Sequence, residues 1–527
     1  ATSRPAYTIL RCTRSTTIRF MRLIAVLTLL LSSLKITSSL SIDATGRERT
    51  KPIKRIAVIG AGIAGLTLAH ALNNDPSTAQ TDLEVTIFES RKKLDFQTGS
   101  GVQLNGGMAV LGKINPNLQQ AVINAALPTG QLSGSKKSWW DNESEDTLWD
   151  FDIASIFKKA GGKTAEELLM NDKPVWYAIM RGALQEVLAD NLPSDGSVKL
   201  LFDKSLVTIQ GSQGSASCGF SDGTNYGPFD LIVGCDGIKS AVKEYIEKGK
   251  ISEEASKREG NAAALYSGIR VAYAVTDALE SERTREPRVV KQVFADGAYL
   301  FKGTFGNGKD RPPCNCIFVT SLDDNFNGPF KRGEFATAST VSENADWLQD
   351  ERKAKQESQM KMIQQLSDNR IPGEDIAAII EKSDRFFELG VYFHNPFSLE
   401  GWSKKVPSTD GCYATLCGDS AHAMPPFLGQ GANQAIQDCY SLAQKIHEFN
   451  QAIHDEDPVD LKSLLKVYER ARWSPTTSIT LKAIILGYLE TGGRSGFYSK
   501  FRDVVFTILT LLGIPQRVLI DAATPKV

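Results

Sequence analysis

Cysteine and histidine are scarce in this chain, with eight and five among 527 residues. The cysteines lie far apart except for Cys314-Asn-Cys316, and neither a second pair nor a histidine stands at metal-ligand spacing beside it. No zinc site is expected from such a pattern. Cys235 and Cys417 fall inside apolar runs and read as small buried hydrophobes. Charge of one sign is missing too: 60 basic residues face 61 acidic ones, a net charge of −1. No global field therefore favours nucleic acid or an anionic membrane. The apolar runs Leu23–Leu31 and Val504–Leu512 are each too short for an ordinary transmembrane span. No Ser/His/Asp nucleophile motif and no internal repeat is visible. What is there, 42% apolar and 23% charged residues, suits a globular protein with room for one large domain or two to three ordinary ones.

The first fifty residues differ from the rest. No acidic residue precedes Asp43, and Arg4, Arg11, Arg14, Arg19 and Arg22 are scattered among Ser and Thr. Met21-Arg22 is followed by the run Leu23–Leu31 and then by Ser-rich sequence. That is the order of a secretory signal, while the Arg/Ser bias also fits an organelle transit peptide. Residues 1–50 are read as a targeting segment. It would lead to the secretory route or, through it, to a plastid.

Three motifs carry chemistry. In the first, the apolar run Ile56-Ala57-Val58-Ile59 suits a buried strand. Gly60-Ala61-Gly62-Ile63-Ala64-Gly65 then opens a helix. Gly60 permits the tight turn, Gly62 lets backbone N–H groups reach a pyrophosphate, and Gly65 allows close helix–strand packing. A second strand, Val85–Phe88, ends at Glu89-Ser90, where a carboxylate can accept from a ribose diol. The second motif runs from Leu416-Cys417-Gly418-Asp419 through His422 and Pro425-Pro426 to Gly429-Gln430-Gly431-Ala432-Asn433. A strand ends at Asp419, which can bind a sugar hydroxyl. A proline turn then opens a helix whose free N–H groups favour negative charge on a flavin's pyrimidine ring. His422 reads as packing beneath that turn rather than as a base. The third is Asp230–Val233 with Gly234-Cys235-Asp236-Gly237, a buried strand leading to a short helix.

Taken in order, GAGIAG…FES, VGCDGIKSAVK and CGDSAHAMPPFLGQGAN resemble the class A flavoprotein monooxygenases, which include salicylate hydroxylase and zeaxanthin epoxidase. The likeness covers about residues 54–475. It implies an α/β fold: a Rossmann-type, glutathione-reductase-like FAD-binding domain interrupted by a β-sheet substrate domain, with C-terminal helices. It implies FAD as cofactor and NAD(P)H as transient co-substrate, since only one Gly-rich dinucleotide fingerprint is present. The reaction implied is insertion of one atom of O2 into a small organic substrate through a flavin C4a-hydroperoxide. By the same resemblance Gly60, Gly62, Ile63, Ala64, Gly65, Glu89 and Ser90 hold the ADP part of FAD. Asp236 and Gly237 lie near the pyrophosphate, and Gly418 and Asp419 on the ribityl side. Pro426, Gly429, Gln430, Gly431 and Asn433 border the isoalloxazine. Gln103 and Arg181 match softer FAD-contacting positions. Lys243 stands where the family usually has Arg, which exchanges a bidentate fork for a point charge. Leu428 replaces a frequent Gly. No catalytic acid or base is assigned. The rival readings are a flavin-dependent reductase of an isoprenoid or lipid-like substrate and a non-enzymatic binding protein on the same fold.

The expected division is a targeting segment 1–50, FAD-binding parts 51–127, 179–261 and 408–450, substrate-domain parts 128–178 and 262–407, and a helical region 451–527. Residues 128–180 read as irregular, 262–325 as β, and 343–366 as a charged helix. Tyr266, Arg270, Tyr299, Tyr392 and His394 are candidate substrate-lining residues. The run Val504–Leu512 reads as a helix packed on the FAD domain, or as a peripheral contact with a membrane or lipid-like substrate.

Overall fold

The computed structural model describes residues 51–73, 83–96, 99–138, 144–212, 214–256, 264–278, 288–322, 356–357, 359–364, 377, 380–383, 385–398, 400–457, 459–491 and 496–527. The targeting segment, Trp139-Trp140 and most of the expected helix at 343–366 lie outside these residues; 356–357 and 359–364 are helical.

The chain begins with β1 (Arg55–Ile59), α1 (Ile63–Asn73), β2 (Glu84–Phe88) and β3 (Gly101–Leu104). It continues through β4 (Gln131–Lys137), β5 (Glu145–Asp152), α2 (Arg181–Asp190), β6 (Val198–Leu201), β7 (Leu231–Gly234) and α3 (Ala241–Lys248). Strands β8 (Ala264–Asp277), β9 (Val289–Ala295), β10 (Ala298–Phe305), β11 (Cys314–Leu322) and β12 (Arg385–His394) follow. The chain closes with β13 (Ser403–Lys405), β14 (Tyr413–Leu416), α4 (Gly431–His454), α5 (Leu461–Thr491), α6 (Gly496–Leu511) and α7 (Ile514–Ala523).

Among the described residues, one sheet has the order β6-β2-β1-β7-β14-β13, parallel except for the last pair. Its central strands are apolar throughout because both faces are covered. Ile56, Ala57, Val58, Leu231, Ile232 and Val233 have no exposed surface. Helix α1 is buried on nearly every side, as an evenly apolar helix must be. The loops carrying all three motifs leave the C-terminal ends of β1, β7 and β14 side by side, where ligands bind in open parallel sheets.

The second sheet has the order β12-β8-β11-β10-β9-β4-β5. It draws strands from 131–152 as well as 264–394, so the stretch read as irregular supplies two strands. The sequence Gln131-Leu-Ser-Gly-Ser-Lys-Lys137 has little strand preference of its own. Its extended form is imposed by parallel pairing with β9 and antiparallel pairing with β5, a tertiary override of local propensity. Strand β13 lies inside the span expected for the substrate domain, yet it pairs with β14 in the nucleotide sheet. The crossover back therefore precedes residue 403 rather than following 407.

Candidate active site

A Cβ at Gly60 (φ +105°) would lie 2.5 Å from the Cys235 carbonyl oxygen, and one at Gly65 would lie 1.9 Å from the Gly60 carbonyl oxygen. These two glycines let backbone approach backbone. Gly62 is different: a Cβ there meets no atom within 4 Å. The second motif repeats the contrast. A Cβ at Gly418 (φ +68°) would lie 3.1 Å from the Ala64 and Ala435 side chains, while Cβ atoms at Gly429 and Gly431 would meet nothing closer than 3.9 Å. Three glycines thus face space that side chains leave free, at a helix N-terminus and at a Gly-rich corner. That is the cradle an elongated phosphate-bearing dinucleotide needs.

Glu89 ties β2 to the Gly-rich turn. Its Oε2 accepts from the Ala61 N–H at 2.9 Å, and Oε1 accepts from the Arg91 N–H at 3.0 Å and the Ser90 hydroxyl at 3.3 Å. Oε2 retains acceptor capacity toward a diol. Ser90, Gly60 and Asp236 border one small recess at this end. Asp236 mainly serves its own loop: Oδ1 accepts from the Ser240 hydroxyl at 2.5 Å, and Oδ2 from the Ala241 N–H at 2.7 Å, which caps α3. Gly237 (φ +75°) makes the intervening turn. The Lys243 ammonium is buried, 3.6 Å from Glu247 and 3.5 Å from the Ala421 carbonyl oxygen. Burial pulls its pKa down against the charge of Glu247.

Asp419 stands at an open mouth and is solvent-exposed, although protein surrounds it. Desolvation raises its carboxyl against the opposing charges of His422 and Arg181. Arg181 opens α2 and lies along Gly99. Asp419, Pro426, Gly429, Gln430 and Gly431 border a cavity of about 550 Å³. Gln103 lies on its wall with the amide oxygen occupied by Trp176 Nε1 (2.6 Å) and Thr129 Oγ1 (3.2 Å). Its Nε2 and the Gln430 Oε1 are buried without partners. Buried amide atoms are rarely left so, and here they belong to residues facing the cavity. The N-terminus of α4 carries no side-chain cap, so its first N–H groups are available to an anion. Asn433, by contrast, is a staple and does not border the cavity. Nδ2 donates to the Gln103 and Gly429 carbonyl oxygens, and Oδ1 accepts from the Asn105 and Gly107 N–H groups. The hydrogen-bonding capacity of its side chain is full within the protein and holds β3 against the corner.

Two layers of the site escaped the sequence reading. One lies beneath the second motif. Asp438 on α4 accepts from His422 Nε2 at 2.5 Å, the Gly418 N–H at 2.9 Å and Arg472 Nε at 2.7 Å. Asp438 and Arg472 have no exposed surface. Burial alone would raise the Asp438 carboxyl; the charges of His422 and Arg472 reverse this and hold it low. Burial pushes the His422 imidazole down, but Asp438 outweighs it and the net displacement is upward. His422 is structural, as read. The available signal was an acid on an otherwise apolar helix face, between Ala435-Ile436 and Cys439-Leu442, since a buried charge must be paired.

The other layer is the cavity's third wall. Lys482, Ile485, Leu486, Leu489 and Glu490 of α5 recur at helical spacing along it, joined by Phe506 and Leu509 of α6 and Ile514 and Val518 of α7. Helix α6 packs on the insertion sheet through Phe506, against Phe294 and Trp149, rather than on the nucleotide domain. Of the five candidate lining residues only Tyr299 borders the cavity. Tyr266 and Tyr392 pack on each other across strands. Arg270 pairs with Glu388 at 2.7 Å, and His394 contacts the Ile238 carbonyl oxygen at 3.2 Å in a separate recess. Tyr266 and Arg270 share one parity along β8, and the face they occupy is not the one that borders the cavity. Val271 and Tyr273, of the opposite parity, face the cavity instead.

Comparison with known proteins agrees with this geometry. A family profile described as FAD binding domain matches residues 413–472, and one described as NAD(P)-binding Rossmann-like domain matches 58–122. Salicylate hydroxylase of Pseudomonas putida is 25% identical over 399 residues, covering 75% of this chain and 77% of that protein. The chloroplastic zeaxanthin epoxidase of Prunus armeniaca is 26% identical over 502 residues, 90% of this chain but 62% of that one. The crystal structure of Klebsiella pneumoniae HpxO complexed with FAD and uric acid shares the fold, with a TM-score of 0.61 at 16% identity, covering 90% of this chain and 97% of that one. With the open glycine cradle, the Gly-Asp corner and the interrupted parallel sheet, these matches make the chain similar to the FAD-dependent hydroxylases and epoxidases of the class A flavoprotein monooxygenases, with FAD as its cofactor.

Proposed function

We propose that this enzyme consumes NAD(P)H and inserts one oxygen atom of O2 into a small, largely apolar organic substrate. The observation that carries the reading is the 550 Å³ cavity, in which the Gly-rich corner faces the apolar side of the insertion sheet (Val271, Tyr273, Phe301, Phe318). FAD, when bound, supplies the electron transfer and oxygen activation that side chains cannot. The chain's residues bind, orient and exclude water. In this reading Gly60, Gly62, Gly65 and the N-terminus of α1 hold the pyrophosphate, and Glu89 holds the adenosine ribose. Asp419 and Arg181 hold the ribityl side. The Gln103 amide and the uncapped N-terminus of α4 face the ring, where they favour negative charge. The aromatic sheet face keeps water from the reacting atoms.

Purified holoprotein is expected to show a flavin spectrum and to consume NADPH and O2 one to one when a substrate is present. Reduction without productive O2 uptake would favour a reductase on this fold. Asp419→Ala is expected to weaken FAD retention about tenfold, the effect of one lost charge-assisted hydrogen bond; full occupancy in that variant would remove Asp419 from the assigned role.

The outer face of α6 supports a peripheral membrane contact as a further part of this proposal. Phe501, Val504, Ile508, Leu511 and Leu512 are exposed there, Leu511 by 82%, with Lys500 beside them and the acid Asp503 buried. No single helix among the described residues is long and apolar enough to cross a membrane, whereas an exposed apolar stripe suits adsorption. Ile508→Glu with Leu511→Glu is expected to abolish co-sedimentation of the holoprotein with anionic liposomes while FAD content is kept. Unchanged sedimentation would rule out this face as the contact.

A further inference from the structure

The cavity is apolar along most of its wall, and beyond the polar groups of the Gly-rich corner a second polar cluster is drawn from the insertion sheet and the C-terminal helices. Glu490 borders the cavity, is 1% exposed, and has an Oε2 with no hydrogen-bond partner. The nearby cation does not serve it. Arg502 directs Nε and Nη2 to Asp503 Oδ1 (3.0 and 2.7 Å), and Nη1 to the Ala295 carbonyl oxygen (2.7 Å). Its approach to Glu490 is to the main-chain oxygen, at 3.5 Å. Burial accordingly drives the Glu490 carboxyl well above the usual carboxylate range, with Arg502 opposing only in part.

Two further polar atoms belong to the same cluster. Trp149 borders the cavity with its buried indole Nε1 unpartnered. Its position depends on its cross-strand neighbour, since a Cβ at Gly134 would lie 2.1 Å from the Trp149 ring. The ring then packs on Phe294 and Phe506, and Phe294 on Tyr299. The Tyr299 hydroxyl accepts from Gln292 Nε2 at 2.8 Å, which leaves its own proton to donate. Along α5, Ile485, Leu486 and Leu489 separate Glu490 from Lys482, eight residues away or roughly 12 Å at the helical rise. Lys482 is ion-paired with Asp521.

Unpartnered buried polar atoms on the wall of an apolar cavity are costly unless a ligand completes them. We propose that Glu490, Trp149 Nε1 and the Tyr299 hydroxyl form the recognition end of the substrate site, which takes the hydroxyl group of a neutral, otherwise apolar molecule and rejects a carboxylate. A substrate hydroxyl donates to Glu490 while its oxygen accepts from Trp149 or Tyr299. A carboxylate has no proton to donate to Glu490 and would bury its charge in an apolar cavity whose lining cation, Lys482, is already paired with Asp521. This rests on the monooxygenase reading only in calling the ligand a substrate.

The test is binding to oxidised, FAD-loaded full-length protein without NAD(P)H, so its outcome does not depend on turnover. The probes are 2-naphthol, naphthalene and 2-naphthoate, followed by calorimetry and flavin absorbance. Wild type is expected to bind 2-naphthol at least about tenfold tighter than naphthalene, the discrimination of a site built around a hydroxyl, and to show no uptake of 2-naphthoate. Glu490→Leu should bring the naphthol-to-naphthalene ratio to about one, and Glu490→Gln should keep most of it. FAD content and thermal midpoint of each variant show whether the fold is kept, and Trp149→Phe gives a second, independent loss of the ratio. A ratio unchanged in both Glu490→Leu and Trp149→Phe, binding of 2-naphthoate as tight as 2-naphthol, or no binding of 2-naphthol at millimolar concentration overturns the proposal. A normal ratio in a protein that never consumes O2 would leave the recognition site standing and discard the monooxygenase reading instead.

Discussion

Asp438→Ala is expected to lower the stability of the holoprotein by about 3–5 kcal/mol, the cost of breaking a buried ion pair from one side. The carboxylate is the joint acceptor for His422, Arg472 and the Gly418 N–H. Its loss leaves the Arg472 guanidinium buried, with only the Gln434 and Gln437 side chains and carbonyl oxygens around it. The midpoint of chemical unfolding checks this, and a loss below about 1 kcal/mol would mean that the cluster relaxes into water. The double variant Asp438→Ala/Arg472→Met should recover part of the loss, because the unpaired charge goes with it. The effect also has a pH signature. Asp438 is held low in the folded protein, so its contribution is present above the ordinary carboxylate pKa and is lost as pH falls. His422 is held high, so its contribution is present below the ordinary imidazole pKa and is lost as pH rises through the raised value. The difference between wild type and Asp438→Ala should therefore be largest at about pH 4–6.5. It should collapse in acid and decline only in part above neutrality, where the pair with Arg472 persists.

Gly62→Val is expected to weaken FAD binding about 100-fold, some 2.7 kcal/mol, in a protein that still folds. The reason is the open space beside Gly62: the added side chain meets no protein atom but fills the approach to the helix N-terminus. Gly65→Ala makes the contrast, because its Cβ would lie 1.9 Å from the Gly60 carbonyl oxygen and must displace the turn itself. FAD titration of the apoprotein, with circular dichroism as the check on folding, separates the two. If Gly62→Val retained wild-type affinity, the pyrophosphate would have to lie elsewhere than at this turn.

The nucleotide-binding half was legible in the chain because its constraints are local. A strand buried on both faces must be apolar throughout, a turn that brings backbone to backbone must be glycine, and a helix receiving an anion must begin without a cap. Each leaves a mark within a few consecutive residues, as at Ile56–Gly65 and Gly418–Gly431. From these the sequence by itself determined the parallel sheet and the dinucleotide cradle, while the cofactor and the reaction were what the family resemblance implied. The substrate side was decided only by the tertiary structure, because its determinants are contacts between segments far apart. Alternation along β8 puts Tyr266 and Arg270 on one face and Val271 and Tyr273 on the other, and only the packing of the sheet decides which face borders the cavity. The polar run Gln131–Lys137 became a strand only because β9 and β5 lie beside it. Glu490 reads in the sequence as one more surface acid of a long helix, and only the packing of α5 and α6 against the insertion sheet buries it in an apolar cavity. Burial is a property of what surrounds a residue, and the surroundings of Glu490 come from strands and helices that are neighbours in space alone.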